Sequence, residues 1–331
     1  MATTTAARPR DRMRRAGRDH QVELVAGALV ALFVAGTWLA PALDGPQLAT
    51  WSTVFLAIVV QSTPFLVLGV LLSAAISILL SERVLARVLP QRSVLAVPVA
   101  GVAGIGLPGC ECAAVPITAS LMRRGVAPAV ALTFLLAAPA VNPAVLVSTA
   151  VAFPGQPSMV VARFVASLLT AVLVGWWCLA RGSRLPMTIR RQGLGEGLGT
   201  GQRFLATARH DFLHASGFLV IGAGIAAAVN TFVPRSIVDT VAGQAVVGVL
   251  TLALFAFVVA LCSESDAFVA ASFTAFSDTA KLAFLVVGPA MDVKLASMEV
   301  GAFGSAFARQ FVPVVVATAV ACAALVGWWL L

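Results

Sequence analysis

The chain has 331 residues, of which 60% are hydrophobic and 11% charged, with a mean hydropathy of +0.98. Soluble domains carry about a quarter charged residues, so this composition excludes a soluble globular protein and specifies an all-α polytopic membrane protein. The net charge of +8 does not point to nucleic acid, because the arginines cluster beside apolar spans. There they set orientation and meet anionic lipid headgroups.

Six arginines between Arg8 and Arg18 mark residues 1–21 as a basic cytoplasmic tail. Residues 22–47 then carry an apolar stretch with no small-residue cleavage site before Pro41, so we expect a retained extra helix rather than a removed leader. Residues 48–180 are expected to form a first transmembrane repeat, 181–207 a second basic cytoplasmic loop, and 208–331 a second repeat. Apolar runs of about 20 residues suit a core of ~30 Å, and about 8 to 10 membrane segments are predicted. The stretches 93–122 and 241–276 are interrupted instead. The first meets Pro108-Gly109, which neither continues a helix nor stiffens one. Each is expected to be a re-entrant hairpin, a backbone tolerated only inside protein or along a water-filled cavity.

The two repeats share residues at a fixed offset. Leu132, Phe134, Leu135, Pro139, Ala140 and Asn142 recur as Leu282, Phe284, Leu285, Pro289, Ala290 and Asp292, each 150 positions later, and Cys112 recurs as Cys262. FLVLG at 65–69 returns as FLVIG at 218–222, and ARFV at 162–165 as ARQFV at 308–312. The parity of the spans between the basic clusters makes the repeat inverted. Inverted halves built around broken helices are the architecture of secondary transporters, with a site at the midplane.

Candidate site residues follow from the breaks. Pro139, Asn142 and Pro143 in one half, and Pro289 and Asp292 in the other, interrupt apolar spans and free carbonyls and helix ends for an ion or polar solute. A charge at the bilayer centre costs ~2.5 to 3.5 kcal/mol on insertion scales, which singles out Glu111, Glu264, Asp266 and Asp292; internal ion pairing is the competing explanation. Cys110 and Cys112 flank Glu111, and with Cys262 they form a candidate three-sulfur metal site, since soft thiolates hold thiophilic ions. Buried cysteine is equally a small hydrophobe. The odd total of five cysteines makes no disulfide framework. Thr118, Ser263 and Ser265 offer hydroxyls to the same cavity, and His210 and His214 lie one helical turn apart at a membrane edge. No Gly-x-x-x-x-Gly-Lys-Ser/Thr segment is present, so ATP drive from this chain is not expected.

The stretch PGCECAAVPITASLMRRGVAPAVALTFLLAAPAVNPAVL at 108–146, followed by LCSESDAFVAASF and AFLVVGPAMDVKL, resembles the predicted-permease family that includes the bacterial organoarsenical efflux permeases. The resemblance covers nearly everything from Trp51 onward. It implies a multi-pass permease of the bacterial inner membrane, and it implies that Cys110 and Cys112 hold trivalent arsenic. The chain departs from the arsenical branch at Glu111, where that branch has a small or hydroxyl residue, and at the acidic pair Glu264 and Asp266.

The expected function is alternating-access movement of a small solute, a thiophilic metal or metalloid species among the candidates. The substrate lies between the 110–112 and 262–266 turns, with efflux as the direction. No cofactor is expected beyond a coupling proton or ion, and no nucleic-acid partner; lipid, the solute and an accessory membrane or binding protein are the partners considered. The N-terminus is expected in the cytoplasm. Two alternatives stand beside this, an intramembrane enzyme acting on a lipid-like substrate and a membrane subunit of a larger transport complex.

Overall fold

A computed structural model describes residues 46–79, 93–106, 111–187, 199–232 and 245–331. The basic tail, most of the expected 22–47 helix, the Pro108-Gly109 tip, Cys110 and part of the second basic loop lie outside the described residues. The first residues of the first helix belong to a small unit ending at Ser52, and Thr53–Leu331 form a second compact unit, which holds the rest of the helices.

All regular elements among the described residues are helical, and their order repeats. The first half runs α1 (Pro46–Leu79), α2 (Ser93–Ala103), α3 (Glu111–Arg123), α4 (Pro128–Ala137), α5 (Pro143–Ala152) and α6 (Pro157–Arg181). The second runs α7 (Thr200–Phe232), α8 (Ala245–Val259), α9 (Asp266–Ser272), α10 (Asp278–Ala290), α11 (Val293–Phe303) and α12 (Ser305–Leu330). Among the described residues, each half opens and closes on a long helix with four shorter ones described between. The four long helices are long and apolar enough to cross a membrane.

Local chemistry fixes the boundaries. Proline opens α4, α5 and α6, where its fixed φ suits the first turn and its missing N–H is not needed. Asn142 caps α5 by accepting from the Ala144 amide at 2.7 Å, and Asp292 caps α11 by accepting from the Leu295 amide at 2.5 Å. The expected span over 126–153 is therefore two half-helices, interrupted at Pro139. In the second half the interruption falls slightly later than the proline. Pro289 sits in the last turn of α10, and the chain leaves the helix at Met291 and Asp292, both extended. A proline near a helix C-terminus removes one hydrogen bond without ending the helix at that residue.

Within the compact unit, α7 packs on α11, α8 on α10, and α6 on α12. Further contacts also cross between the halves: α6 lies against α10, α3 against α11, and α9 against α5. Close approach depends on small residues, as is usual inside membranes. Gly69 rests on the backbone of Ala113, and a Cβ at Gly222 would fall 2.6 Å from the Cα of Lys294. Large apolar side chains are exposed on α8 and α12, among them Val246, Leu250, Leu254 and Trp328. Such a surface suits lipid rather than water.

The helix ends sort into two groups. The end of α3 meets the first half of α7 through Arg123 and Asp211, and the end of α11 meets the same part of α7 through Gly301 and His214. The start of α10 meets the end of α12 through Thr279 and Gly327. Arg123, Arg124, Arg203, Arg209 and Arg309 all belong to the first group of ends.

Candidate substrate site

Four short helices begin in the interior, and each starts on a polar side chain. Glu111 opens α3, Asn142 caps α5, Asp266 opens α9 and Asp292 caps α11. Helix N-termini carry unsatisfied amides and a partial positive charge, so acidic or amide side chains are stabilised there. This is one physical reason for acids in so apolar a chain. It does not account for the cations that meet them.

Lys294 and Glu111 form a buried ion pair of 2.6 Å, with side-chain exposures of 2% and 1%. Asp292 stands 3.8 Å from the same ammonium. A second buried pair joins Arg163 to Asp266, one guanidinium nitrogen lying 2.9 and 2.8 Å from the two carboxylate oxygens. Its other terminal nitrogen donates to the Thr149 hydroxyl at 2.7 Å. Ser263 bridges the two pairs. Its hydroxyl donates to Glu111 at 3.0 Å, and its carbonyl accepts from Arg163 at 3.1 Å. The α3 start and the 262–266 turn, about 150 residues apart in sequence, therefore meet in one polar network.

The turn itself is closed by Ser265 and Asp266 amides donating to the Cys262 carbonyl, after a left-handed Ala260 (φ 52°) ends α8. The Cys262 thiol donates to Glu264 at 2.6 Å, and Gln61 donates to the Ser265 hydroxyl at 3.1 Å. Cys112 is fully buried beside Glu111. Residues 111 and 112 are already helical, so the side chains here follow the 3.6-residue helical period and not the two-residue alternation of extended backbone. Cys110 lies outside the described residues. Among the described residues, no three His, Cys, Asp or Glu side chains are gathered as ligands for a metal ion.

A cavity of about 350 Å³ reaches this network, and Lys294 and Cys262 form part of its wall. Gln61, Ser62 and Ser272 add polar groups, while Ile58, Phe255 and Phe273 keep the rest apolar. A few convergent polar groups in an apolar recess are the usual anatomy of a small-solute site. Pro139, Asn142 and Pro143 are not part of its wall. They shape the α4–α5 break, and α5 reaches the Arg163 pair through Thr149.

In the sequence Arg163 stands out only as one letter of a repeated ARFV string. Its repeat partner, Arg309, is exposed, so duplication alone carried no sign that one copy is a buried counter-ion. The signal available was a lone arginine six residues into an apolar span. Lys294 was visible in the same way, as a cation two positions from Asp292.

Residues 47–328 match the model of the family ArsP_1, described as predicted permease. The chain belongs to this permease family. It is 35% identical over 283 residues to the UPF0718 protein YcgR of Bacillus subtilis, covering 83% of this chain and 96% of that one. It is 29% identical over 267 residues to a Streptococcus mutans protein described as a candidate subunit of a two-component membrane permease complex, covering 78% and 89%. No solved structure matches. The ArsP_1 match and the apolar helices together make the chain a multi-pass membrane permease.

Proposed function

We propose that this permease moves a small solute through the cavity at Lys294 and Cys262 by alternating access between two inverted halves. The supporting observation is the junction itself. The cavity reaches the point where α3 and α11, from different halves, meet through Glu111 and Lys294. An interface between repeats is where differential movement of the halves exposes a site first to one side and then to the other. The arginine-rich group of helix ends would lie in the cytoplasm by the positive-inside rule. The cavity, walled by the first half of α1 and the end of α8, then opens outward.

The substrate class follows from the groups present. Four carboxylates (Glu111, Glu264, Asp266, Asp292) face two cations (Lys294, Arg163) in the network and its turn, leaving two formal negative charges in excess beside the Cys262 thiol. That balance favours a cationic or proton-coupled thiophilic species, a soft metal or metalloid form, over an anion. The enzyme reading is less well supported, because the acids are engaged as helix caps and ion-pair partners rather than held together at one membrane face. Membership of a larger complex is an alternative that the Streptococcus relative's description makes worth testing by co-purification.

The test is an accumulation and toxicity screen of soft metals and organometalloids, comparing cells with and without the chain. Expression should change the accumulation of at least one thiophilic species, and Cys110→Ser with Cys112→Ser should abolish that difference at unchanged membrane abundance. Normal transport by the double variant excludes the thiol role. No accumulation difference for any thiophilic species excludes the substrate class.

A further inference from the structure

A second, smaller cavity of about 60 Å³ lies among α3, α7 and α11, at the arginine-rich group of ends. Its position is not arbitrary. The offset of 153 that relates FLVLG to FLVIG carries Ala57, Ile58, Gln61 and Ser62 onto His210, Asp211, His214 and Ala215. The first four line the large cavity, and the second four line the small one. The offset of 150 likewise carries Ala119 and Arg123 of the small cavity onto Val269 and Phe273 of the large one. The two recesses are thus built from equivalent positions of the two halves, yet one is several times the volume of the other.

What differs is the pair facing across each recess. In the small cavity Arg123 donates to Asp211 at 3.0 Å. Ser73 donates to the same carboxylate at 3.1 Å, and its carbonyl accepts from Ser120 at 2.9 Å. His214 adds a contact of 2.9 Å between its Nε2 and the Gly301 carbonyl. These bonds tie α3, α7, α11 and α1 together. In the large cavity the equivalent positions are Phe273 and Ile58, an apolar pair that offers no hydrogen bond.

We propose that Arg123 and Asp211 are the lock of an inner gate, and that Ile58 and Phe273 form the corresponding outer gate, the two closing in alternation. The inference rests on the alternating-access reading above. It adds an asymmetry: the inner gate closes by charge and the outer one by apolar contact. Removing the inner charge pair should therefore shift the population from outward-open toward inward-open.

The experiment uses the full chain in oriented membrane vesicles with a membrane-impermeant maleimide, and the unsubstituted chain as the blank. Ala57→Cys reports the outer cavity and Ala302→Cys the inner one. In the otherwise unaltered chain, A57C should label from the outside and A302C should label slowly from the cytoplasmic side. Adding Asp211→Asn should raise A302C labelling about tenfold and lower A57C labelling in parallel. Exchanging the charges (Arg123→Asp with Asp211→Arg) should return both rates toward their starting values, which also guards against a merely misfolded single variant. Unchanged labelling at both positions in D211N overturns the gate. So does a rise at A302C without a fall at A57C, because that is local loosening. If A57C never labels from outside, the alternating-access reading fails instead.

Discussion

Arg163→Leu is expected to accumulate poorly in membranes and to unfold in detergent at a much lower temperature than the parent chain. The substitution leaves Asp266 buried without its counter-ion and withdraws a donor from the Ser263 carbonyl and the Thr149 hydroxyl. Breaking a buried pair from one side costs roughly 3–5 kcal/mol, whereas removing both charges together is often close to neutral. The double variant Arg163→Leu with Asp266→Leu should therefore recover most of the lost thermal stability, read as the midpoint of a thermal unfolding scan. It should also keep measurable transport, because neither residue lines the large cavity. A single variant as stable as the parent would mean that the pair contributes nothing in the membrane.

Lys294 behaves differently because it belongs to both the ion-pair network and the cavity wall. Lys294→Met leaves Glu111 without its 2.6 Å partner and Asp292 without its nearest cation, a loss of the same order, roughly 3–5 kcal/mol. Adding Glu111→Gln should restore the part of the stability lost at Glu111, since the amide still accepts from Ser263. It should not restore transport of the species found in the accumulation screen, which should remain at least about tenfold down if the site contributes even one charge-assisted contact. Stability regained together with transport would reduce Lys294 to a structural counter-ion. The contrast between the two double variants, one transporting and one not, separates scaffold from site.

Much of the architecture could be read from the residues because membranes leave little choice. Every backbone polar group must be satisfied within a helix or a protected break, so Pro139 and Asn142 marked one interruption and Asp292 the other. Other features were hidden because duplication had diverged chemically. Glu299 stands where the first half has Thr149, Lys294 where it has Ala144, and Asp266 where it has Pro116. Only folded geometry places Arg163 of the first half on Asp266 of the second, since a pairing across 103 positions leaves no periodic trace. The helical state of Glu111 and Cys112 was equally unreadable, because Pro108-Gly109 signals a break without saying how soon the next helix starts. Finally, the capping roles of Asn142 and Asp292 mean that a polar residue after a proline is partly a structural device.

Opposed halves meeting in the bilayer interior underlie both the transport route and the paired gates, and the sidedness of four positions tests that most directly. Arg124→Cys, Gln156→Cys, Ser277→Cys and Arg309→Cys, each introduced singly, mark the ends of α3, α6, α10 and α12. An impermeant thiol reagent added to intact cells should modify Q156C and S277C, and should reach R124C and R309C only after permeabilisation. Labelling R309C from outside, or R124C and S277C from the same side, would make the two halves parallel and contradict the inverted arrangement.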